Sequence, residues 1–330
     1  MDDVPLLDPV SDGERVYAAS TATRLSAHEL RTGRPLWSVP LPSDATASPA
    51  VADGLVYVGT FEGHLLCVDA ATGQTLWTFQ AEDQLAGSPN VVALQGGRKL
   101  VLVSSWDTHV YAVLGGREGG SLLWKQATQD RVNGMPVVAG GRVYVGGCDA
   151  VLYAFALEDG SPLWQTGVQS YIPANVALSA GAGVVVAGLH EDANALVAID
   201  TGTGKLRWQT PKLGFPYTAA PAVHSTGLVV AGSRDRQVRA HHLRDGSPAW
   251  SAAIGASVDV PVSLAPQHVV LPTSDARLLL LSIHDGSTLQ TLSLPVRSET
   301  APALAGQWVI VASRDGRLHA FAPAAKAVPQ

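Results

Sequence analysis

The feature that most constrains the fold of this chain is a short motif, Gly-x-x-x-Trp, which recurs along almost its whole length. Six copies end in tryptophan and a seventh has glutamine in its place, at Trp37, Trp77, Trp124, Trp164, Trp208, Trp250 and Gln290. The successive spacings are 40, 47, 40, 44, 42 and 40 residues, and another 40 residues end at Gln330. A period of this size indicates a chain built from repeated supersecondary units.

A proline that opens each unit gives the number of units. Eight prolines take this position, at Pro9, Pro49, Pro89, Pro136, Pro173, Pro221, Pro261 and Pro302. Each is followed by a run rich in Val, Leu, Ile and Tyr, then by a polar turn and a further apolar run, a pattern typical of antiparallel strands. Each unit therefore predicts a meander of four strands, A to D, with the tryptophan on strand D. Four-stranded sheets at this period are typical of a β-propeller.

We predict an all-β fold, an eight-bladed β-propeller of four-stranded antiparallel blades that forms a single domain over residues 1–330. The predicted units are residues 8–42, 46–80, 86–128, 133–167, 171–211, 217–253, 259–293 and 299–330. The prolines agree with strand A as the innermost strand, because proline cannot donate to a sheet ladder and is confined to edges and strand starts. A flat solenoid is the alternative, but it would need atypical capping repeats.

Closure of the ring needs a fourth strand for the eighth unit. Strands A to C of this unit span Ala301 to Pro323, and only the weak tail AAKAVPQ follows. We expect an N-terminal strand over residues 2–7 to complete the eighth blade, so that the N-terminal segment closes the ring.

Composition excludes several classes of protein. With 46% hydrophobic residues the chain can bury a sizeable core, which excludes global disorder. The net charge of −6 argues against a dedicated nucleic-acid binder. No purely apolar run is long enough to predict a membrane-spanning helix, and the start MDDVPLLDPV lacks the pattern of a signal peptide. We expect a monomeric propeller without a nucleic-acid partner and without direct membrane insertion.

The segment from strand C to the tryptophan reads A-x-D-x-x-T-G-x-x-x-W, best seen in VDAATGQTLW (Val68 to Trp77) and AIDTGTGKLRW (Ala198 to Trp208). It resembles the tryptophan-docking motif of quinoprotein-like propellers, the pyrroloquinoline-quinone-like repeat family, over essentially the whole chain. The resemblance implies that the six tryptophans pack between neighbouring blades. In character the chain is most similar to the non-catalytic members, namely the outer-membrane assembly lipoprotein and the sensor domains of bacterial Ser/Thr kinases. It also implies a periplasmic or other extracytoplasmic location.

Other members of this family are quinone-dependent dehydrogenases, which gives the alternative function. Pyrroloquinoline quinone with calcium would then bind over the channel mouth near Arg131, Asn133, Tyr171 and Tyr217. Alcohol-oxidising members also use a disulfide of adjacent cysteines, whereas Cys67 and Cys148 fall two blades apart and are expected to be free thiols. Sugar-oxidising members lack that disulfide, so its absence does not exclude a quinone.

Neither histidines nor aspartates predict a metal site. The ten histidines form no metal-binding motif. Aspartates recur in the turns between strands B and C, but Asp and Gly there are typical of tight hairpins, and no calcium-loop pattern is present. We therefore predict no catalytic residue, no metal and no cofactor.

Propeller topology places the B–C turns and the D–A connections on one face, which we call the loop face. Its aromatic residues are Phe61, Trp106, Tyr171, Phe215 and Tyr217, with Asp107 and Asp149 beside them. Trp106 lies outside the repeated pattern, so it either anchors a partner or folds over its own blade. Because binding sites favour loops on a rigid scaffold, we expect a non-catalytic bacterial scaffold or sensor domain that binds a protein or peptide on this face.

Charge is distributed unevenly over the loop face. Units two to five contribute eight acids, namely Glu62, Glu82, Asp83, Asp107, Asp130, Asp149, Glu191 and Asp192, against Arg131 and Lys212. Units six to eight mix arginines and acids almost evenly, with Arg234, Arg236, Arg277, Arg297 and Arg314 among Asp235, Asp259, Asp275, Glu299 and Asp315. We expect the acidic half to steer a basic segment of a partner, unless these acids serve only solubility.

Overall fold

The computed structural model describes residues 6–190, 193–217 and 219–322. Within them the chain forms eight antiparallel sheets, each built from strands that are consecutive in sequence. Seven sheets have four strands, and the last has three in the described part of the chain. The predicted eight-bladed all-β propeller is confirmed, and the one helical element among these residues is a single 3₁₀ turn, Gln95–Gly97.

The first four blades contain sixteen strands, four to a blade. They are β1 Val10–Ser11, β2 Arg15–Ser20, β3 Arg24–Glu29 and β4 Pro35–Pro40; β5 Ala50–Ala52, β6 Leu55–Gly59, β7 His64–Asp69 and β8 Thr75–Gln80; β9 Asn90–Ala93, β10 Lys99–Ser104, β11 His109–Leu114 and β12 Leu122–Ala127; β13 Val137–Ala139, β14 Arg142–Gly146, β15 Val151–Ala156 and β16 Pro162–Gly167.

The last four blades follow the same plan. Their strands are β17 Ala177–Ser179, β18 Val184–Gly188, β19 Leu196–Asp200 and β20 Leu206–Gln209; β21 Ala222–Val223, β22 Leu228–Ser233, β23 Gln237–His242 and β24 Pro248–Ala253; β25 Ser263–Ala265, β26 His268–Pro272, β27 Arg277–Ser282 and β28 Thr288–Ser293; β29 Ala303–Ala305, β30 Trp308–Ala312 and β31 Leu318–Phe321.

The first strands of the blades lie innermost and form a closed ring. Around the axis, consecutive first strands contact one another from β1 to β9 and from β13 to β29, and β29 contacts β1. Between blades three and four, the Asn90 side-chain amide donates to the Pro136 carbonyl at 2.8 Å. In six blades the proline directly precedes this strand, as at Pro49 before Ala50, whereas Pro173 and Pro261 fall further upstream of β17 and β25. A proline at this inner edge costs no ladder hydrogen bond.

The N-terminal segment joins the first and last blades. Residues 2–5 of the predicted N-terminal strand lie outside the described residues. Leu6 bridges Ser20, and the Leu7 amide donates to the Ala19 carbonyl at 3.0 Å, so this part pairs with β2. The Asp8 carboxylate then accepts the Ala301 amide at 2.9 Å, which links the segment to the eighth blade.

The core lies between the blades rather than within them. Runs of β-branched and aromatic residues make the second and third strands almost fully buried, as in β6 and β7. Each hydrophobic cluster combines residues of two neighbouring blades: Tyr17, Leu25 and Ala27 of the first pack with Val56, Val58 and Val68 of the second. The fourth strands are half-buried or exposed, as in β8. The pairing of β7 with β8 shifts register between Cys67, which lies opposite Trp77, and Val68. Such a bulge distorts the outer edge, which discourages pairing with other chains.

The six repeated tryptophans dock on the next blade, as the family resemblance implies. Each indole Nε1–H donates to a backbone carbonyl there at 2.7 to 3.1 Å; the acceptors are Ala70, Gly116, Leu157, Thr201, Leu243 and Ile283. Each ring lies against the glycine of the following motif. A Cβ on those glycines would fall 2.5 to 3.2 Å from the ring; they are Gly73, Gly120, Gly160, Gly204, Gly246 and Gly286. The Gly and Trp positions of the motif therefore form the two sides of one contact between neighbouring blades.

Candidate protein-binding site

The loop face is a rigid surface because its two sets of loops are hydrogen-bonded to each other. An amide in a B–C turn donates to a carbonyl in the neighbouring D–A connection in blade after blade. Examples are Phe61 to Asp44 at 2.8 Å, Trp106 to Gln84 at 2.9 Å and Cys148 to Arg131 at 2.9 Å. Short bridges such as Leu85 to Ser105 continue the same pairing. Side chains on these loops are thus presented by a fixed backbone.

The D–A connections are also anchored by an apolar side chain that packs on a strand glycine. Leu85 lies on Gly59, Ile172 on Gly146 and Val258 on Gly232. Tyr217 takes the same position on Gly188 and is only 1% exposed. We predicted Tyr217 as a binding residue from sequence. The structure corrects this, because its ring is an internal anchor that a partner does not reach.

Trp106 is the centre of a polar and aromatic cluster that joins blades three and four. Its indole Nε1–H donates to Asn133 Oδ1 at 3.0 Å, and the Asn133 amide donates to Cys148 Sγ at 3.1 Å. The Arg131 guanidinium lies over the indole, with its Cζ 4.7 Å from the ring centroid. The structure therefore brings together three residues predicted separately, Trp106, Arg131 and Asn133, and adds Cys148. The half-buried Trp106 neither stands free nor folds over its own blade alone.

Asp107 and Asp149 hold their own hairpins in place. The Asp107 carboxylate accepts the Tyr111 hydroxyl at 2.5 Å and the His109 amide at 3.0 Å. Asp149 accepts the Tyr153 hydroxyl at 2.6 Å, and burial together with this bond raises the pKa of Tyr153 to about 12. Because their oxygens are engaged in the turns, these two acids fix the local backbone of the site. The sequence signal for this carboxylate–tyrosine hydrogen bond is the Asp-x-x-x-Tyr spacing, which occurs at both positions.

The other predicted aromatic residues are spread around the same face. Phe61 is 57% exposed and Phe215 is 53% exposed. Tyr171 is half-buried, and its hydroxyl lies 2.7 Å from His190 Nδ1. Besides the Trp106 cluster, the loop face therefore presents two exposed aromatic side chains, Phe61 and Phe215.

The acids of the loop face differ in how they are paired. Glu62, Asp83 and Asp130 are exposed and form no salt bridge within the described residues, and we call these three the acidic sector. Glu82 pairs with Lys125 at 2.5 Å. In blades six to eight the acids are paired with arginine, as in Asp259 with Arg234 at 2.8 Å and Asp275 with Arg277 at 2.8 Å. Glu191 and Asp192 lie outside the described residues.

The channel mouth does not fit the quinone that the fold family implies. A polar cavity of 240 Å³ opens there, lined by small polar side chains and by two acids, Asp8 and Glu299. No basic side chain lines it in the described part of the chain. Pyrroloquinoline quinone is a tricarboxylate, so without its calcium ion the two acids would repel it and no described basic side chain would pair with it. Arg131, predicted beside such a ligand, instead covers Trp106, and Tyr217 is buried.

The two cysteines lie in different blades, Cys67 in β7 and Cys148 just after β14. Both thiols are free, with Cys67 buried and Cys148 half-buried, and burial raises the pKa of Cys67 to about 12. Across the ranges that the structure describes, no three His, Cys, Asp or Glu side chains are grouped so that they could hold a metal ion. None of the helical residues described forms a segment long and apolar enough to cross a membrane.

Comparison with known families places the whole chain in one group. The family profile described as outer membrane protein assembly factor BamB matches residues 4–117, 64–220 and 209–325. The assembly factor BamB of Burkholderia pseudomallei is 26% identical over 334 residues, which cover 96% of this chain and 84% of that protein. The protein of the same name from Nitrosomonas eutropha is 29% identical over 211 residues, or 62% of this chain. That match spans only 49% of the Nitrosomonas protein.

Solved structures support the same architecture. BamB from Moraxella catarrhalis superposes with a TM-score of 0.73 at 18% identity, covering 98% of this chain and 95% of that one. The computationally designed protein Ika8 superposes with a TM-score of 0.83, also at 18% identity, covering 97% and 96%. At these identities the likeness concerns the fold alone.

Proposed function

Since the chain belongs to the family of the outer membrane protein assembly factor BamB, we propose that it is a non-catalytic scaffold that binds protein partners during outer membrane assembly. Its place of action is then extracytoplasmic, on the side of the envelope where outer membrane proteins are assembled. The binding surface is the loop face, which a rigid ring of blades holds in position.

The Trp106 cluster is the single observation that carries the choice of this face. Trp and Arg are the residues most enriched at the energetic centres of protein interfaces. Arg131 is exposed, stacked on an indole that Asn133 holds in place, and forms no salt bridge within the described residues. A side chain ordered before binding loses less entropy when a partner docks.

The acidic sector indicates the charge of the partner. Three unpaired acids beside the Trp106 cluster favour a segment with Lys or Arg, while the paired charges of blades six to eight leave that half near neutral. Exposed charges of this kind act mainly on the rate of association, and salt weakens them.

Alanine substitution of Arg131 and of Trp106 tests the assignment. We expect each variant to bind the detergent-solubilised outer membrane assembly proteins of its own bacterium at least about tenfold more weakly, as expected of an interface hot spot. Surface plasmon resonance would give the dissociation constants. Arg34→Ala is the matched control, because Arg34 is an exposed arginine on the opposite face and pairs there with Glu29. Wild-type affinity in both loop-face variants would refute the proposal.

A further inference from the structure

A cavity between blades two and three lies on the opposite face of the propeller, which the A–B hairpins and C–D turns form. Its lining residues fall within residues 53–55, 97–99 and 114–119, that is, in the A–B hairpins of both blades and in the C–D turn of blade three. Its volume is 370 Å³, inside the range of about 300–1,000 Å³ that is usual for small-molecule pockets. We call it the hairpin cavity.

Blade three is longer than its neighbours at this cavity. The tryptophan spacing across this unit is 47 residues, against 40 in the units on either side. Its A–B hairpin has five residues between β9 and β10, where blade two has two between β5 and β6. Its C–D turn has seven residues between β11 and β12, where blade two has five between β7 and β8. Insertions on one face of a repeat protein often mark its binding surface.

Three basic side chains line the hairpin cavity. Lys99 pairs with Asp53 of blade two. Arg117 donates to the Asp69 carboxylate at 2.7 Å, and this bond lowers the pKa of Asp69 to about 2. The third, Arg98, is exposed and forms no salt bridge within the described residues. Two of the cations are therefore held in place before any ligand binds, and the third is available to pair with one.

The backbone beside these side chains is open. Gly97 and Gly116 each directly precede an arginine and have φ of +79° and +95°. No described atom lies within 4 Å of the position that a Cβ would take on either glycine. Glycine at such positions lets a ligand approach the main chain closely. Because Leu55 and Leu114 line the same cavity, it combines cationic groups with apolar surface.

From these observations we propose that the hairpin cavity binds a phosphate ester, with Arg98, Lys99 and Arg117 around the phosphate group. The guanidinium fork of arginine matches phosphate oxygens, and lysine adds a compact positive charge. Glu118, an exposed acid in the cavity wall, opposes the anion and limits its affinity. A soluble phosphate ester and the headgroup of an anionic phospholipid share this chemistry. The cavity lies on the face opposite the Trp106 cluster and does not depend on the loop-face proposal.

Glycerol 3-phosphate is the soluble probe. In the 330-residue protein with isotope-labelled glycine, we expect it to shift the amide resonances of Gly97 and Gly116 saturably, whereas sodium chloride at the same ionic strength does not. Arg98→Gln should raise the dissociation constant by about tenfold, and Glu118→Gln should lower it. Arg244→Gln is the matched control, because Arg244 is an exposed arginine in the C–D turn of blade six and should leave binding unchanged.

Vesicles of phosphatidylglycerol and phosphatidylcholine in equal parts are the lipid probe, with pure phosphatidylcholine vesicles as the control. Cosedimentation with the mixed vesicles alone, weakened about tenfold by Arg98→Gln and unchanged by Arg244→Gln, would identify a phospholipid headgroup as the ligand. A saturable response to glycerol 3-phosphate without vesicle binding would identify a soluble ester. Either result supports the phosphate site.

Three results would overturn the proposal. Neither probe binding to the wild-type protein would show that the cavity takes no phosphate. Equal dissociation constants for wild type and Arg98→Gln would place any bound phosphate elsewhere. Equal weakening by Arg98→Gln and Arg244→Gln, or an equal response to sodium chloride, would show a general effect of charge rather than a site.

Discussion

At the scale of single residues, Tyr217 anchors a loop through the shape of its ring, although burial of its hydroxyl group is unfavourable. Its ring fills the position that Leu85, Ile172 and Val258 fill elsewhere, and its hydroxyl is buried with no hydrogen-bond partner among the described residues. Burial raises the pKa of Tyr217 to about 12, so the phenol stays neutral. A buried polar atom without a partner costs stability.

Removing that hydroxyl should therefore not destabilise the protein. We expect Tyr217→Phe to unfold in urea with a free energy equal to wild type or about 1 kcal/mol higher. Tyr144→Phe is the matched control, because the Tyr144 hydroxyl donates to the Thr201 carbonyl at 3.2 Å, and its loss should cost about 1 kcal/mol. A Tyr217→Phe protein less stable than Tyr144→Phe would contradict this interpretation.

His241 is a second buried polar residue at an apolar position of the repeat. Val68, Phe155 and Leu281 stand at this position in other blades. His241 Nδ1 lies 3.0 Å from the Gly246 carbonyl, and its Nε2 is buried without a described partner. Burial lowers the pKa of His241, and the nearby Arg239 and His242 lower it further.

This shift predicts a pH dependence of stability. The unfolded chain takes up a proton at His241 near pH 6.5, while the folded protein does so only at lower pH. The free energy of unfolding should therefore fall as the pH falls below about 6.5, by at most about 1.4 kcal/mol per pH unit. His241→Val should lack this component, whereas His284→Ala, at an exposed histidine, should keep it. Urea titrations between pH 7 and 5 measure this. If the free energy of unfolding falls with pH equally in wild type and His241→Val, the prediction is wrong.

At the scale of elements, the blades are held together by the tryptophan and glycine halves of the repeated motif. The Trp124 indole is 7% exposed, bonds the Leu157 carbonyl at 3.0 Å and would lie 2.6 Å from a Cβ on Gly160. Both residues of the pair are therefore needed for close contact between blades three and four.

Substitution at either half should destabilise the ring. We expect Trp124→Ala to lower the free energy of unfolding by about 3–5 kcal/mol, as for a large aromatic in a packed core. Gly160→Ala should cost clearly more than Gly227→Ala, which has a similar positive φ of +80° but open space around it. Urea unfolding measures the stability of all three variants. Equal losses of stability in Gly160→Ala and Gly227→Ala would show that the Trp124 ring does not exclude a side chain at residue 160.

The sequence predicted the elements well because the same four-strand pattern occurs in eight units, so each position could be compared across them. Strand order, the inner proline strand and the docking tryptophans follow from positions that recur in almost every unit. Pro173 and Pro261 were less informative, because those units begin their first strands further downstream. The Trp106 cluster could be predicted only in part, since its contacts join loops of two blades that follow no repeated pattern.

Site chemistry was harder to predict for a related reason. Asp107 and Asp149 look in sequence like free surface charges, but the tyrosine four residues later binds each carboxylate. Tyr217 looks like an exposed loop aromatic, but the glycine on which it packs lies in the neighbouring strand β18. In both cases the deciding partner becomes visible only once the strands are paired.

At the scale of the whole molecule, the two faces of the propeller differ in how their charges are compensated. On the loop face the acidic sector of Glu62, Asp83 and Asp130 lies beside the Trp106 cluster. On the opposite face, acids in turns are mostly held by neighbouring side chains, as in Asp200 with Arg207 at 2.6 Å. We therefore propose that a partner binds the loop face at the acidic sector.

Association kinetics with the loop-face acids reversed test this claim most directly. We predict that Glu62→Lys, Asp83→Lys and Asp130→Lys together slow association with the outer membrane assembly partner by about tenfold at low salt, and that the difference vanishes at high salt. The control reverses three exposed acids of the opposite face, Glu14, Glu118 and Glu158, and should leave the rate unchanged. A loop-face variant that associates as fast as wild type at low salt would contradict the proposal, and a slower control would place the partner on the opposite face.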